Sequence, residues 1–248
     1  MRGFGDPAFF GDRYAHEYDQ TESESPDSAP AVEFLAGLVP DGSPGCVLEL
    51  AIGTGRVAIP LAGHGIVVEG IEGSAAMVEQ MRAKPGGASI PTIVGDMADV
   101  AVTGRFQLVY LVFNTLFNLP SQERQVDCFR NVAKVLDPGG LFVIECFIQD
   151  LTEFDRDQRV ATRAVTEDSV DLEFLIHDPV AQAVTYQRVT FDARGTTLRP
   201  LRLRYCWPSE LDLMAQLAGM RLRERYNDWD RSPFTAASRS HISVYERV

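Results

Sequence analysis

Two hundred and forty-eight residues suffice for one large domain, or for one domain carrying an insert. A chain that is 45% hydrophobic and 23% charged, with a mean hydropathy of −0.07, is not globally disordered. Its net charge of −12 argues against phosphate backbones and anionic membrane surfaces as partners.

No stretch approaches the roughly 20 apolar residues of a membrane span. Met1 to Asp19 lacks an apolar leader, so the expected location is the cytoplasm. Cys46, Cys128, Cys146 and Cys206 form no C-x-x-C pair and fall in apolar or periodic stretches. They read as buried thiols in a reducing compartment, and no metal site is expected.

Along the chain, Phe9 to Asp19 mixes aromatic and charged residues and reads as a short helix, followed by a Ser/Pro/acid-rich loop from Gln20 to Pro30. Val32, Leu35, Leu38 and Val39 have helical spacing up to Pro40-Asp41-Gly42. Strands are then expected at Cys46–Ala51, Ile66–Ile71, Ile90–Val94, Phe106–Phe113 and Leu141–Phe147. Between them run helices from Arg56, from an N-cap at Ser74, and from an N-cap at Ser121 to a stop at Asp137-Pro138-Gly139-Gly140. Such alternation predicts a parallel doubly wound sheet.

Beyond Phe147 the texture changes to period two. Val170, Leu172, Phe174 and Ile176 alternate with Asp171, Glu173 and Leu175, an apolar face that should cover something. Ala183–Phe191 and Thr197–Cys206 read as further strands, so an antiparallel insert is expected, its last strand carrying Arg199, Arg202 and Arg204. The arginine-rich face reads either as a solvated edge or as a contact with a second copy. A helix capped by Ser209 and two closing strands, Arg221–Tyr226 and His241–Glu246, complete the chain.

Chemistry concentrates at three strand ends. Glu49-Leu50-Ala51-Ile52-Gly53-Thr54-Gly55-Arg56 lies at a strand-to-helix junction, where glycines permit close backbone approach and a helix N-terminus offers free N–H groups. Gly53 to Ala58 also fits the G-x-G-x-x-A dinucleotide fingerprint, whereas a P-loop is absent. Glu72 follows the second strand, placed to accept both hydroxyls of a ribose. Asp96 and Met97 follow the third; Asp96 is placed for an exocyclic amine, and Met97 with Met77 for a ring face. A dehydrogenase using this loop would want a set such as Tyr-x-x-x-Lys, and Lys84 and Lys134 are not so placed.

Glu49-x-x-x-Gly53-x-Gly55, Glu72, Asp96-Met97 and the strand Gln107-Leu108-Val109-Tyr110 together resemble the class I S-adenosylmethionine-dependent methyltransferases. The family's loop usually reads E/D-x-G-x-G-x-G; here Ala51 and Arg56 replace its first and last glycines. The resemblance implies a Rossmann-like α/β sheet of order 3-2-1-4-5-7-6, with the last strand antiparallel. It implies that Ala51, Gly53, Arg56, Glu72, Gly73, Met77, Asp96, Met97 and Val112 border S-adenosylmethionine, with Arg56 near the methionyl carboxylate.

Val112 to Leu119 is similar to a segment of small-molecule methyltransferases of bacterial secondary metabolism, such as amino-sugar and antibiotic N-methyltransferases. Those enzymes cover the acceptor with an N-terminal aromatic segment and an insert, which here match residues 1–30 and 150–207, leaving 31–149 and 208–248 as the core. Tyr14 is then expected at the cofactor, and Tyr18, Asn114, Phe117, Asn118 and Trp207 at the acceptor. The implied reaction is methyl transfer to nitrogen or oxygen of a small metabolite, with no nucleic-acid or membrane partner and with a homodimer through the insert as one option. No catalytic base is assigned: His16 and His177 lie in the covering segments, and each reads more simply as solvated. The alternatives are a non-catalytic binder of the same cofactor and a NAD(P)-dependent oxidoreductase.

Overall fold

A computed structural model describes residues 3–22, 28–40 and 46–248. The chain starts with helices α1 (Phe9–Glu22) and α2 (Ala29–Ala36). The helix α1 therefore takes in the first residues expected as loop, and α2 its last two, Ala29 and Pro30; residues 23–27 and 41–45, which hold the middle of that loop and the Asp41-Gly42 stop, lie outside the described residues. The Rossmann-like half follows as β1 (Cys46–Leu50), α3 (Ala58–Gly63), β2 (Val67–Glu72), α4 (Ala75–Arg82), β3 (Thr92–Val94), β4 (Phe106–Leu111), α5 (Gln122–Val135) and β5 (Leu136–Phe147). The Ser74 and Ser121 hydroxyls cap α4 and α5 by accepting the N–H groups of Met77 and Arg124, each at 3.3 Å.

The insert comprises β6 (Gln158–Val165), β7 (Ser169–Asp178), β8 (Ala183–Asp192) and β9 (Gly195–Arg204). Then come α6 (Pro208–Leu217), β10 (Met220–Tyr226) and β11 (Ser240–Arg247). The main sheet runs β3-β2-β1-β4-β5-β11-β10, the anticipated order, with β11 antiparallel to both neighbours. A register shift lets the Asp137-Pro138-Gly139-Gly140 stop bulge within β5, between the pairs Phe106–Leu136 and Leu108–Leu141. One sheet face packs Leu48 and Phe142 against α5, with its Phe129, and α6, and the other packs Val47, Val143 and Val244 against α2 and α3. Those two cores bury both faces of the strands and fix where their carboxyl ends emerge.

The insert departs from the sequence reading in three ways. Strand β6 was not anticipated, because its Arg-containing, largely exposed residues carry no apolar alternation. The face of β7 expected to cover something is the outer one: Phe174 and Ile176 are exposed, while Leu175 and His177 are buried. Inward-facing Asp171 is matched by Arg188 and Thr190 on β8, which removes the cost of turning a carboxylate away from water. The Trp207–Pro208 junction, and not Ser209, starts α6, with Pro208 at its first position.

Candidate functional site

The loop after β1 is held in left-handed backbone at Ala51, Gly53 and Gly55, with φ of 53°, 57° and 78°. Alanine tolerates this at about 1–2 kcal/mol, so replacing the usual first glycine preserves the turn. A Cβ on Gly55 would lie 2.7 Å from the Met81 Cγ, whereas one on Gly53 would meet only the Ala51 carbonyl at 3.9 Å. The open side of Gly53 faces the space beside the loop.

Glu72, at the end of β2, ties that loop down. Its Oε2 accepts the Gly53 N–H at 2.8 Å and its Oε1 the Ser74 N–H at 2.9 Å. Burial pushes its carboxyl above the usual range, opposed by hydrogen bonds from the Ser74, Gly53 and Gly73 amides. Glu49 lies deeper, 4% exposed, accepting the Tyr110 hydroxyl at 2.8 Å. Burial pushes its pKa up to about 8, against the hydrogen bond from Tyr110.

Three adjoining cavities open at the carboxyl ends of these strands. The first encloses about 920 Å³ of space, counting its solvent-open mouth. Ala51, Gly53, Glu72, Gly73, Met77, Asp96 and Met97 form its floor and walls, and Phe4 to Gly11 part of its roof. A second, small cavity runs along the glycine loop, between Gly53, Thr54, Arg56 and Val112. A third, outer chamber is lined by Arg56, Asn114, Glu145, Phe147, Leu201, Leu203 and Trp229. Among the described residues, only Tyr18 and Thr115 line all three.

The roof is fastened on both sides. Ser74 donates to Asp12 at 2.6 Å, and Thr54 to Asp19 at 2.7 Å, which Lys84 also reaches at 2.8 Å. Gly11 fits where a Cβ would stand 2.3 Å from that of Ser74, and Gly73 where one would stand 2.3 Å from the Pro7 carbonyl. Across the cleft, Tyr14 donates to the Pro200 carbonyl at 3.2 Å, and Arg199 grips Glu17 through two nitrogens at 3.0 and 3.1 Å. Helix α1 is therefore stitched both to the glycine loop and α4 and to the insert.

Residues 47–140 match a family model described as a methyltransferase domain. Over nearly the full length, the chain is 37% identical to the CcbJ methyltransferase of Streptomyces caelestis, covering 98% of this chain and 99% of that one, with a TM-score of 0.89. The chain belongs to the S-adenosylmethionine-dependent methyltransferases. A cypemycin N-terminal methyltransferase from a Streptomyces species is 27% identical over 248 residues, 98% of this chain and 99% of that one. The S-adenosylmethionine-bound structure of CalS10, an amino pentose methyltransferase from Micromonospora echinaspora, shares the fold at 18% identity and a TM-score of 0.71, covering 94% and 96% of the two chains.

S-adenosylmethionine is the methyltransferase's cofactor, and the residues present suit it. The Glu72 carboxylate beside the open flank of Gly53 can accept sugar hydroxyls, and Met77 and Met97 give an apolar slot in the same cavity. Asp96 lines that slot, with Oδ1 on the Ala98 N–H and Oδ2 on Arg124, both at 2.8 Å.

Twelve of the fifteen site residues singled out from sequence line one or more of the three cavities. The exceptions are Tyr14, Phe117 and Trp207. Phe117 is fully buried, edge-on to Phe147 at 5.0 Å. It sits in the 3-10 turn Thr115–Asn118, where residues three apart share a side, so Thr115 and Asn118 face the cavities while Leu116 and Phe117 enter the core. Trp207 packs edge-on to Tyr205 and against the core under the insert. Tyr14 is buried with its hydroxyl on Pro200, which makes it a fastener of the roof. His177 is likewise buried, its Nε2 3.0 Å from the Tyr205 hydroxyl.

Sequence reasoning missed Thr115, Glu145 and Trp229. Glu145 left a signal: it is the one charged residue in Leu141-Phe-Val-Ile-Glu-Cys-Phe147, a buried strand. Thr115 lies within the Val112–Leu119 segment, between the residues picked from it, whereas Trp229 left no signal, since its position depends on a loop.

Proposed function

We propose that the enzyme methylates a nitrogen atom of a small metabolite held in the outer chamber. The carrying observation is the meeting of three cavities at Tyr18 and Thr115: one walled by Glu72, Met77, Asp96 and Met97, a narrow one along the glycine loop, and one walled largely by aromatic and aliphatic side chains. Bound across the first two, the cofactor supplies an electrophilic methyl group on sulfur. Glu72 would accept the ribose hydroxyls, Gly73, Met77, Asp96 and Met97 would frame the adenine, and Ala51, Gly53, Arg56 and Val112 would border the methionyl part.

Tyr18 and Thr115 would then flank the reacting atoms, with Asn118 and Leu201 beside them. Asn114 acts as a brace; its Oδ1 accepts the Phe147 N–H at 2.6 Å and so fixes the chamber wall. The protein's contribution is alignment and exclusion of water by the stitched roof. A neutral amine supplies its own nucleophilic lone pair, which fits a site where no histidine among the described residues lines any of these three cavities. The cypemycin relative, by its name, also methylates an amino terminus.

A roofed chamber and a net charge of −12 disfavour nucleic acid as acceptor. Among the described residues, no helix is long and apolar enough to cross a membrane. We place the enzyme in the cytoplasm, where its four free cysteines stay reduced, and assign the exposed outer face of the insert, with Val160, Phe174, Ile176 and Leu198, to contact with a second copy. Sedimentation of wild type against Ile176→Glu checks that contact.

The test of function is a methyl-transfer screen over amino sugars, amino acids, short peptides and phenols, scored by S-adenosylhomocysteine formed. Turnover is expected with small amines. Efficient methylation of intact protein or RNA, with small acceptors inert, would sink the reading.

A further inference from the structure

Glu145 is built into the outer chamber with unusual care. It pairs with Ile242 on β11, and its Oε2 accepts the Phe113 N–H at 2.7 Å. Its Oε1 accepts the Trp229 indole N–H at 3.2 Å. Burial raises its carboxyl, and those two donors together with the Arg56 charge oppose the rise by favouring the ionised form. A carboxylate offers about four lone-pair sites, so two fixed donors leave acceptor capacity toward the chamber. Phe10, Tyr18, Phe147 and Trp229 line the same space, as do Arg56 and the Phe113 ring on which it stacks at 3.7 Å. A carboxylate among aromatic rings is a receptor for a cationic nitrogen.

The placement matches the charge movement of the reaction. When an amine is methylated, its lone pair forms the N–C bond and sulfur keeps the pair of the broken C–S bond. The positive charge is thereby relocated to nitrogen until a proton leaves to water. Glu49 and Glu72 line only the cofactor-side cavities, whereas Glu145 is the one carboxylate lining the outer chamber among the described residues. We propose that Glu145 is the acceptor-recognising residue, poised to hold the nitrogen as it becomes positively charged. The proposal rests on reading the outer chamber as the place of an amine acceptor.

The test uses two probes titrated into the full-length protein saturated with S-adenosylhomocysteine. Benzyltrimethylammonium carries a fixed positive charge, and benzyl alcohol is its neutral counterpart. Wild type is expected to prefer the cation, and Glu145→Gln to bind it roughly tenfold more weakly, while Glu145→Asp keeps most of the affinity. Binding of benzyl alcohol and of S-adenosylhomocysteine should be the same in all three. A wild type that binds the cation no better than the alcohol overturns the proposal, as does a Gln variant that binds it as tightly as wild type. Should Glu145→Gln fail to fold, the wild-type preference and the Asp variant decide the matter. Failure of S-adenosylhomocysteine to bind would instead strike at the cofactor site.

Discussion

Removing the Glu72 carboxylate should cost cofactor affinity by an amount the geometry sets. Two of its roughly four acceptor sites serve the Gly53 and Ser74 amides at 2.8 and 2.9 Å, and the Gly73 amide adds a third contact. What remains is about one acceptor site, which the ribose hydroxyls would share. Losing that charge-assisted contact costs about 1.5–3 kcal/mol net, so Glu72→Ala should weaken S-adenosylhomocysteine binding roughly 10- to 150-fold. Glu72→Gln, which keeps one acceptor oxygen, should fall between. Isothermal titration at 25 °C measures this, with adenine as a ligand lacking the sugar and a thermal melt to verify folding. An alanine variant within twofold of wild type would remove the ribose contact. An equal loss for adenine would mean that Glu72 acts by shaping the loop.

Three further outcomes are expected. Glu49, raised to about 8 from an ordinary 4.5, holds its proton more tightly folded than unfolded, so its contribution to stability is lost as pH rises from 4.5 to 8. Urea titrations should therefore show Glu49→Gln gaining on wild type from pH 5 to pH 9, with a ceiling of about 5 kcal/mol for the shift of 8 − 4.5 = 3.5; a pH-independent difference contradicts this. Gly73→Ala must displace the Pro7 segment and should speed proteolytic cleavage ahead of Phe9, and an unchanged digestion pattern argues against the close fit. Tyr14→Phe should cost about 1 kcal/mol and Arg199→Leu about 0.5–1 kcal/mol. The double variant should cost less than their sum if the roof lifts as a unit, and additive denaturation free energies would show that the two ties act separately.

The parallel half of the fold was legible because its signals are local. Glycines at a strand end, Ser74 and Ser121 before apolar periodicity, and acids closing β2 and β3 each follow from a few adjacent residues. The cofactor walls inherit that legibility, since they stand at strand ends. The insert was misread where burial is decided by partners distant in sequence: Asp171 faces inward because Arg188 and Thr190 meet it, and the apolar face of β7 is left outside. Phe117 and Trp207 carry aromatic bulk that a site could use, yet a 3-10 turn and a helix start send both into the core. The outer chamber is assembled from α1, β9 and the loop bearing Trp229, elements separated by more than two hundred residues, and no window of sequence contains it.

The pairing of β9 with β8 restricts how this enzyme's specificity can diverge. Leu201 and Leu203 meet Tyr186 and Val184 on the inward side, whereas Pro200, Arg202 and Arg204 alternate with them. Successive residues of a strand face opposite ways, so a slip of one position would exchange the whole lining for its neighbours. Replacing Leu201 or Leu203 reshapes the chamber by a few methylene groups and leaves the glycine loop untouched. Deleting a single residue from the hairpin turn at Ala193-Arg194 would bring proline and arginine over the acceptor at a stroke. Lineages descended from such a scaffold should therefore vary freely in the identity of the roof side chains, and change the length of that hairpin in steps of two.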